Sequence, residues 1–284
     1  MSDQLVPSSP PPRASFGPIV SPEWLHDHLR DPDLRVIDFR WSLRGPGREA
    51  YELGHIPGAV FVDLEDVTGI EGGGRHPLPT GIQLAEEMRK AGVDSDTKVV
   101  VYDDTGGSIA ARLWFLLRWF GHDAQAVLDG GIQAWGEPID TTVPSVQRGD
   151  FGWREPDRSK VLDFESVSRL AGVPVLDARA GERYRGEREP VDPKAGHVPG
   201  ALSAPWMENL GPDGRFKSPT ELREQFAALG ADKGSPVVYC GSGVNACHDL
   251  LAMELAGLAG ARLYAGSWSD WSSRDAPIAT GTDP

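Results

Sequence analysis

Short apolar runs and amphipathic stretches take turns along the chain. Leu34–Asp38, Lys98–Tyr102 and 124–128 are compact and rich in β-branched residues, the pattern of strands buried on both faces. Between them lie stretches of helical period. Ser21-Pro22-Glu23-Trp24 offers an N-cap serine, a proline at the first helical position and an acid in the first turn. Thr80 caps a helix that runs to Ala91, and 108–120 reads as a long, largely apolar helix. After Pro138-Ile139 the period dissolves into Thr, Pro, Ser, Gly and charged residues as far as Arg158. It then resumes with a strand at 173–177, a helix from Ser218-Pro219 to Leu229, a strand at Val237–Tyr239, and a helical pattern through Cys247, Leu250, Leu251 and Leu255. Strands alternating with helices predict an α/β architecture, each mainly parallel sheet flanked by helices on both faces.

The second series repeats the first. Asp38-Phe39-Arg40 corresponds to Asp177-Ala178-Arg179, and Gly54-His55-Ile56-Pro57-Gly58-Ala59 to Gly196-His197-Val198-Pro199-Gly200-Ala201. Strand 100–102 corresponds to Val237–Tyr239, 127–135 to 263–271, and Pro138-Ile139 to Pro277-Ile278. Five markers in one order, offset by about 140 residues, describe two copies of one domain, since the period is too long for a solenoid. The expected division is a disordered tail at 1–17, a first domain at 18–140, a linker at 141–160 and a second domain at 161–284.

The copies differ at one strand end. Val237-Val238-Tyr239 runs into Cys240-Gly241-Ser242-Gly243-Val244-Asn245-Ala246 and a helix, where the first copy has Asp103. Ligands of such sheets sit at the C-terminal ends of strands. A curled glycine loop that opens a helix turns several backbone N–H groups toward one point and adds the positive end of the helix dipole. Such a place favours thiolate over thiol. Cys240 is therefore read as a nucleophile that carries a charged sulfur species, provided that solvent can reach it. A carboxylate cannot do this chemistry, so the first copy is expected to be non-catalytic, a scaffold and one wall of an interdomain cleft. Cys247, about one turn into the helix, reads as core. The histidines of the two His-Pro-Gly segments read as backbone-bonding turn residues, with His55 also a candidate for the cleft. Trp41, just past a strand end, is a second cleft candidate.

Composition narrows the partners. A net charge of −14 argues against nucleic acid and anionic membranes, and makes any anion site depend on local positive charge. The two cysteines fit neither a zinc site nor a C-x-x-C redox pair, and the seven histidines are scattered, so no metal is expected. So few cysteines suit a reducing compartment, and no apolar run is long enough to span a bilayer; the cytoplasm is the expected location.

Tandem copies, paired His-Pro-Gly segments, a cysteine loop in the second copy alone, and the terminal Gly266-Ser267-Trp268-Ser269-Asp270-Trp271 together resemble the tandem-domain rhodanese sulfurtransferases, over nearly the whole chain after the tail. The resemblance implies that Cys240 takes a sulfane sulfur from a small anionic donor, 3-mercaptopyruvate or thiosulfate, as a persulfide. Cyanide, a small thiol or a protein thiol then accepts it, and no cofactor is needed. The resemblance further implies that the amides of Gly241 to Ala246 stabilise the sulfur. Ser242 would assist proton transfer with His55 as the first-domain histidine, and Arg183 would hold the donor's anionic group in two-point fashion. Neutral Gly241 and Ser242 are similar to the loop of 3-mercaptopyruvate sulfurtransferases. Asn245 stands where those enzymes usually have threonine. Their second arginine, before the His-Pro-Gly segment, is missing, which leaves Arg185 or Arg188 as substitutes. A sulfur-relay module loaded by a protein partner is the alternative reading. Phosphatases of the same fold need a cysteine loop one residue longer that closes on an arginine, whereas Ala246-Cys247-His248 follows here.

Overall fold

The computed structural model describes residues 17–43 and 45–284, so the expected tail lies outside it except for Gly17. The first domain runs β1 (Ile19–Val20), α1 (Pro22–His28), β2 (Leu34–Asp38), β3 (Trp41–Ser42), β4 (Gly45–Pro46), α2 (Arg48–Leu53), β5 (Val60–Phe61), α3 (Gly81–Lys90), β6 (Lys98–Tyr102), α4 (Ala110–Trp119) and β7 (Gln125–Leu128). Its parallel sheet has the order β1-β7-β6-β2-β5, and β3 and β4 form a separate antiparallel pair. The second domain runs β8 (Val161–Leu162), α5 (Phe164–Ser168), β9 (Val175–Asp177), α6 (Gly181–Tyr184), β10 (Ala201–Ser203), α7 (Pro219–Ala228), β11 (Val237–Tyr239), α8 (Ala246–Leu255), β12 (Arg262–Tyr264) and α9 (Ser267–Trp271). Read from the other edge, its parallel sheet has the same order, β8-β12-β11-β9-β10. The central strands β6 and β11 correspond, and so do the loops that leave them.

Local chemistry sets the helix starts. The Ser21 hydroxyl accepts the Trp24 N–H, Thr80 accepts Gln83, and Ser218 forms a reciprocal capping box with Glu221. The helix expected from 108 begins instead at Ala110, because the Asp103 carboxylate takes the N–H groups of Ile109 (2.7 Å) and Ala110 (2.9 Å).

The repeated markers are scaffold. Arg40 clamps Asp38 and the Gly54 carbonyl, and Arg179 clamps Asp177 and the Gly196 carbonyl. The Nδ1–H of His55 donates to Tyr51 O at 2.9 Å, and that of His197 to Tyr184 O at 2.8 Å, each ring stacked on its tyrosine.

Residues 141–157 contain no helix or strand and are pinned to the first domain, with Gly149, Phe151 and Arg154 donating to Arg89, Val93 and Phe120. The domains meet along α4 and α8, whose side chains share one buried apolar cluster that includes Leu113, Leu117, Leu250 and Leu251. This contact explains why α4 is apolar nearly all round: one face covers its own sheet and the other covers the neighbouring domain.

Candidate active site

The loop after β11 and its counterpart after β6 leave corresponding strands and differ in length and in what fills them: the next helix begins seven residues after Asp103 but six after Cys240. In the first domain the Asp103 carboxylate accepts four N–H groups, from Thr105, Gly107, Ile109 and Ala110, at 2.7–2.9 Å. In the second domain, none of the N–H groups of Gly241, Ser242, Gly243, Val244, Asn245 and Ala246 has an acceptor among the described residues. Pairing resumes at Cys247, which donates to Val244. Six successive amides without an acceptor directly after a cysteine are the donors that an anion-binding concavity requires.

The loop is held from below and from the side. Ser267 sits at φ +53, a left-handed conformation costly for a non-glycine residue. Its buried hydroxyl accepts the Cys240 N–H at 3.1 Å and donates to Tyr264 O at 2.9 Å. Trp268 N and Ser269 N bond the carbonyls of Cys240 and Gly241. Gly243 has φ +78, and a Cβ there would lie 2.6 Å from the Ala265 carbonyl. Gly241 has an ordinary φ, so the expectation that both glycines serve the curl holds for Gly243 alone. Gly241 is small because two guanidinium groups lie over it.

Cys240 is 1% exposed, less than the sequence reading required of a nucleophile. The physical reason is closure by both domains: the first-domain segment 73–76 and the second-domain segment 183–192 meet above the loop. Cys247 is fully buried, its thiol pushed up to about 12 by burial, in agreement with a core role.

His55 is not at the site. It is fully buried, its Nδ1–H is bonded to Tyr51 O, and its Nε2 faces Thr142 O at 3.3 Å. The first-domain histidine that reaches the loop is His76, whose Nδ1 lies 2.8 Å from Ser242 Oγ. Its Nε2 faces the Glu65 carboxylate at 3.8 Å, which favours a proton on Nε2 and leaves Nδ1 to accept from the serine. Burial, then Arg112 and Arg75, push His76 down to about 4, so the ring is neutral at physiological pH. Trp41 lies edge-on to His76 at 5.0 Å and donates from Nε1 to Glu65 at 3.2 Å.

Arg112, fully buried on α4, was not anticipated; it donates to Gly243 O (3.1 Å) and His76 O (2.9 Å) and so ties the cysteine loop to the histidine segment. Asn245 reaches across to Ser108 O at 3.5 Å.

Of the cations expected around the donor, Arg183 is in place. It bonds Glu189 (2.7 and 3.1 Å) and Asp192 (3.1 Å), and its Nη1 is 3.4 Å from the Cβ position of Gly241. Arg185 turns away to pair with exposed Glu187, because it caps the short helix α6 and points outward. Arg188 is exposed. Burial raises the Asp192 carboxyl above its ordinary range despite Arg75 and Arg183. For Glu189, burial works in the same upward direction, but Arg183 and the N–H groups of Asp192 and Val191 together outweigh it and hold the carboxyl below its ordinary range.

Cys240 thus lies recessed at the end of the central strand, followed by amides without acceptors and beside a hydroxyl–imidazole pair and two guanidinium groups. The class defined by this fold and site is the two-domain sulfurtransferases. The Rhodanese-like domain model matches twice, at residues 21–138 and 164–274, and the chain belongs to the rhodanese family. It is 45% identical over 283 residues to a Pseudomonas aeruginosa protein named "Probable 3-mercaptopyruvate sulfurtransferase", covering 94% of this chain and 99% of that one. It is 35% identical over 277 residues to the thiosulfate sulfurtransferase of Rattus norvegicus, covering 91% and 93%. The crystal structure of SseA from Escherichia coli, described as a 3-mercaptopyruvate sulfotransferase, superposes with a TM-score of 0.79 at 32% identity, covering 89% of this chain and 99% of that one. The chain is a sulfurtransferase.

Proposed function

We propose that Cys240 carries sulfur as a persulfide, taken from 3-mercaptopyruvate and passed to a thiophilic acceptor such as cyanide or a thiol. The observation that carries this reading is the contrast between the two strand-end loops: one is filled by its own carboxylate, and the other follows its cysteine with six N–H groups that have no acceptor among the described residues. Those donors favour anionic sulfur before and after loading.

The thiolate attacks the donor sulfur, the S–S bond forms and the C–S bond breaks. The electron pair of that bond leaves on carbon as the enolate of pyruvate. The proton once on the donor sulfur passes through Ser242 to neutral His76 and back to that carbon, so the products are the persulfide anion and pyruvate. The acceptor then attacks the outer sulfur, and with cyanide the products are thiocyanate and free thiolate. Thiosulfate, the second donor, gives up its sulfane sulfur and leaves as sulfite with no proton to move. The buried Ser242–His76 pair therefore favours 3-mercaptopyruvate.

The first domain serves as a non-catalytic partner, with 18–140 and 161–284 as the working division. The two free cysteines support a reducing compartment such as the cytoplasm, and no helix among the described residues is long and apolar enough to cross a membrane.

Side-by-side rates with both donors, cyanide as acceptor, on the native protein and Cys240→Ser test the reading, together with mass measurement of the loaded protein. The native protein gains one sulfur on Cys240, and the serine variant is inactive with both donors. Substantial turnover by the variant removes Cys240 from the reaction. Loading by a partner protein but by neither small donor establishes a relay instead.

A further inference from the structure

Where the later turns of α4 and α8 lie side by side, the domain junction leaves a cavity of about 290 Å³. Phe115 and Trp119 from the first domain, and Leu250 and Leu258 from the second, make its wall mostly apolar. The Trp114 ring also lines it, and the indole Nε1–H is buried with no acceptor among the described residues. Buried donors are nearly always paired, so this one leaves a bond for an occupant to complete. Arg118 lies over that indole, 5.7 Å from the ring centre, and pairs across the junction with Glu254. Asp157 stands beside Lys160, so the charges on the cavity wall itself balance. The excess charge lies next door. Lys160 and Gly260 also line an adjoining trough of about 480 Å³, together with Lys233 and Arg262. No carboxylate lines that trough among the described residues. The chain has 42 acidic against 28 basic side chains, so three cations without an acid reverse its overall field locally. An apolar slot that ends in a cationic trough fits a molecule of two parts, a hydrophobic body and an anionic head. Domain junctions with apolar walls and a few placed polar groups are where small-molecule sites concentrate.

We propose that this cavity and trough form a binding site for a small amphiphilic anion, a planar apolar body that carries a carboxylate or phosphate. The body lies in the cavity against Trp119 and Leu258, and the head lies in the trough between Lys160 and Lys233. The site is separate from the sulfur chemistry. α8 starts directly after the cysteine loop, and from Ala246 to Glu254 the helix rises about 12 Å. The occupant is therefore a ligand of the domain junction and not a sulfur donor. It touches α4 of one domain and α8 of the other, so it binds only the docked pair and stabilises the folded chain. The same two helices carry Arg112 and the end of the cysteine loop, which links the occupant to the frame of the active site.

Isothermal titration calorimetry on the full chain tests this with 2-naphthoate and 2-naphthyl phosphate, and with 2-naphthylmethylamine as the cationic control. At least one of the anions should bind with a Kd of about 1 mM or tighter and raise the unfolding temperature. The amine should bind about tenfold more weakly or not at all. The tighter of the two anions tells a carboxylate head from a phosphate head. Lys160 and Lys233 are both exposed, and reversing them together (Lys160→Glu with Lys233→Glu) should weaken anion binding about tenfold or more while the fold is kept. Ala261→Phe adds a ring to the cavity wall and should weaken it to the same extent with no change of charge. Arg183→Ala, at the cysteine loop, should leave the affinity within about twofold. The proposal is overturned if neither anion binds saturably below about 5 mM, or if the amine binds as well as the anions. It is also overturned if the charge-reversed variant keeps its affinity, or if Arg183→Ala loses as much as that variant, which would place the anions at Cys240. If Ala261→Phe or Arg183→Ala fails to fold, the charge-reversed variant and the amine control decide.

Discussion

Replacing His76 with asparagine should separate the two sulfur donors. The substitution removes the ring whose Nδ1 lies 2.8 Å from Ser242 Oγ and leaves the cysteine loop untouched. With His76 pushed down to about 4, about one ring in a thousand is charged at pH 7, so nearly every molecule has a base ready to accept a proton. A positioned acid–base group contributes about 10²–10⁴-fold, and a ring acting through a serine belongs near the lower end, so kcat with 3-mercaptopyruvate should fall about 10²-fold. Thiosulfate has no proton on its sulfane sulfur, and its rate should change by less than about threefold. The assay compares pyruvate release with thiocyanate formation, and the ratio of native to variant rates is followed against pH. That ratio cancels the ionisations both proteins share. Protonation of the ring abolishes its ability to accept from Ser242, so the ratio should stay level as pH falls through 6.5 and decline only near pH 4. Equal loss with both donors, or a decline centred on the ordinary histidine value, would refute the relay.

His55→Asn should cost about 1–3 kcal/mol of stability through its bond to the Tyr51 carbonyl and its tyrosine stack, with kcat per folded molecule unchanged, as read by urea unfolding alongside kinetics. Gly243→Ala forces a left-handed residue into the Ala265 carbonyl and should cost about 2 kcal/mol or more, with a fall in kcat as the loop amides shift. Arg112→Met strips bonds from two carbonyls at once and should destabilise by about 3 kcal/mol. Lysine should not restore activity there, because a single ammonium cannot span both Gly243 O and His76 O.

The fold and the nucleophile were legible because their signals are local. Strand runs, capping residues and the Asp-x-Arg and His-Pro-Gly markers act over a few positions, and each marker holds its own copy together. The same locality misled the choice of His55, whose segment is prominent because it is structural. His76 sits in an aperiodic glycine-rich stretch, and its serine partner is 166 positions away. One clue lay unused. Gly74-Arg75-His76 before α3 has a counterpart in Gly214-Arg215-Phe216 before α7. The crossing is reciprocal: the second copy's segment lies on the first copy's loop, with Phe216 N–H donating to Asp129 at 2.9 Å and Gly214 O 3.3 Å from the Cβ position of Gly106. Phenylalanine faces the loop that holds Asp103, and histidine faces the loop that holds Cys240. The burial of Cys240 was illegible because it depends on docking of the two copies, which no single segment records.

That mutual exchange of segments means half of this chain is not half of an enzyme. Cut free, the C-terminal portion would keep its sulfur atom but surrender the imidazole, the bracing arginine and one of the two guanidinium groups in a single stroke. Two corresponding loops are each crossed by a segment of the other domain, yet only one of them offers a thiol, because in the other an aspartate takes up the free amides.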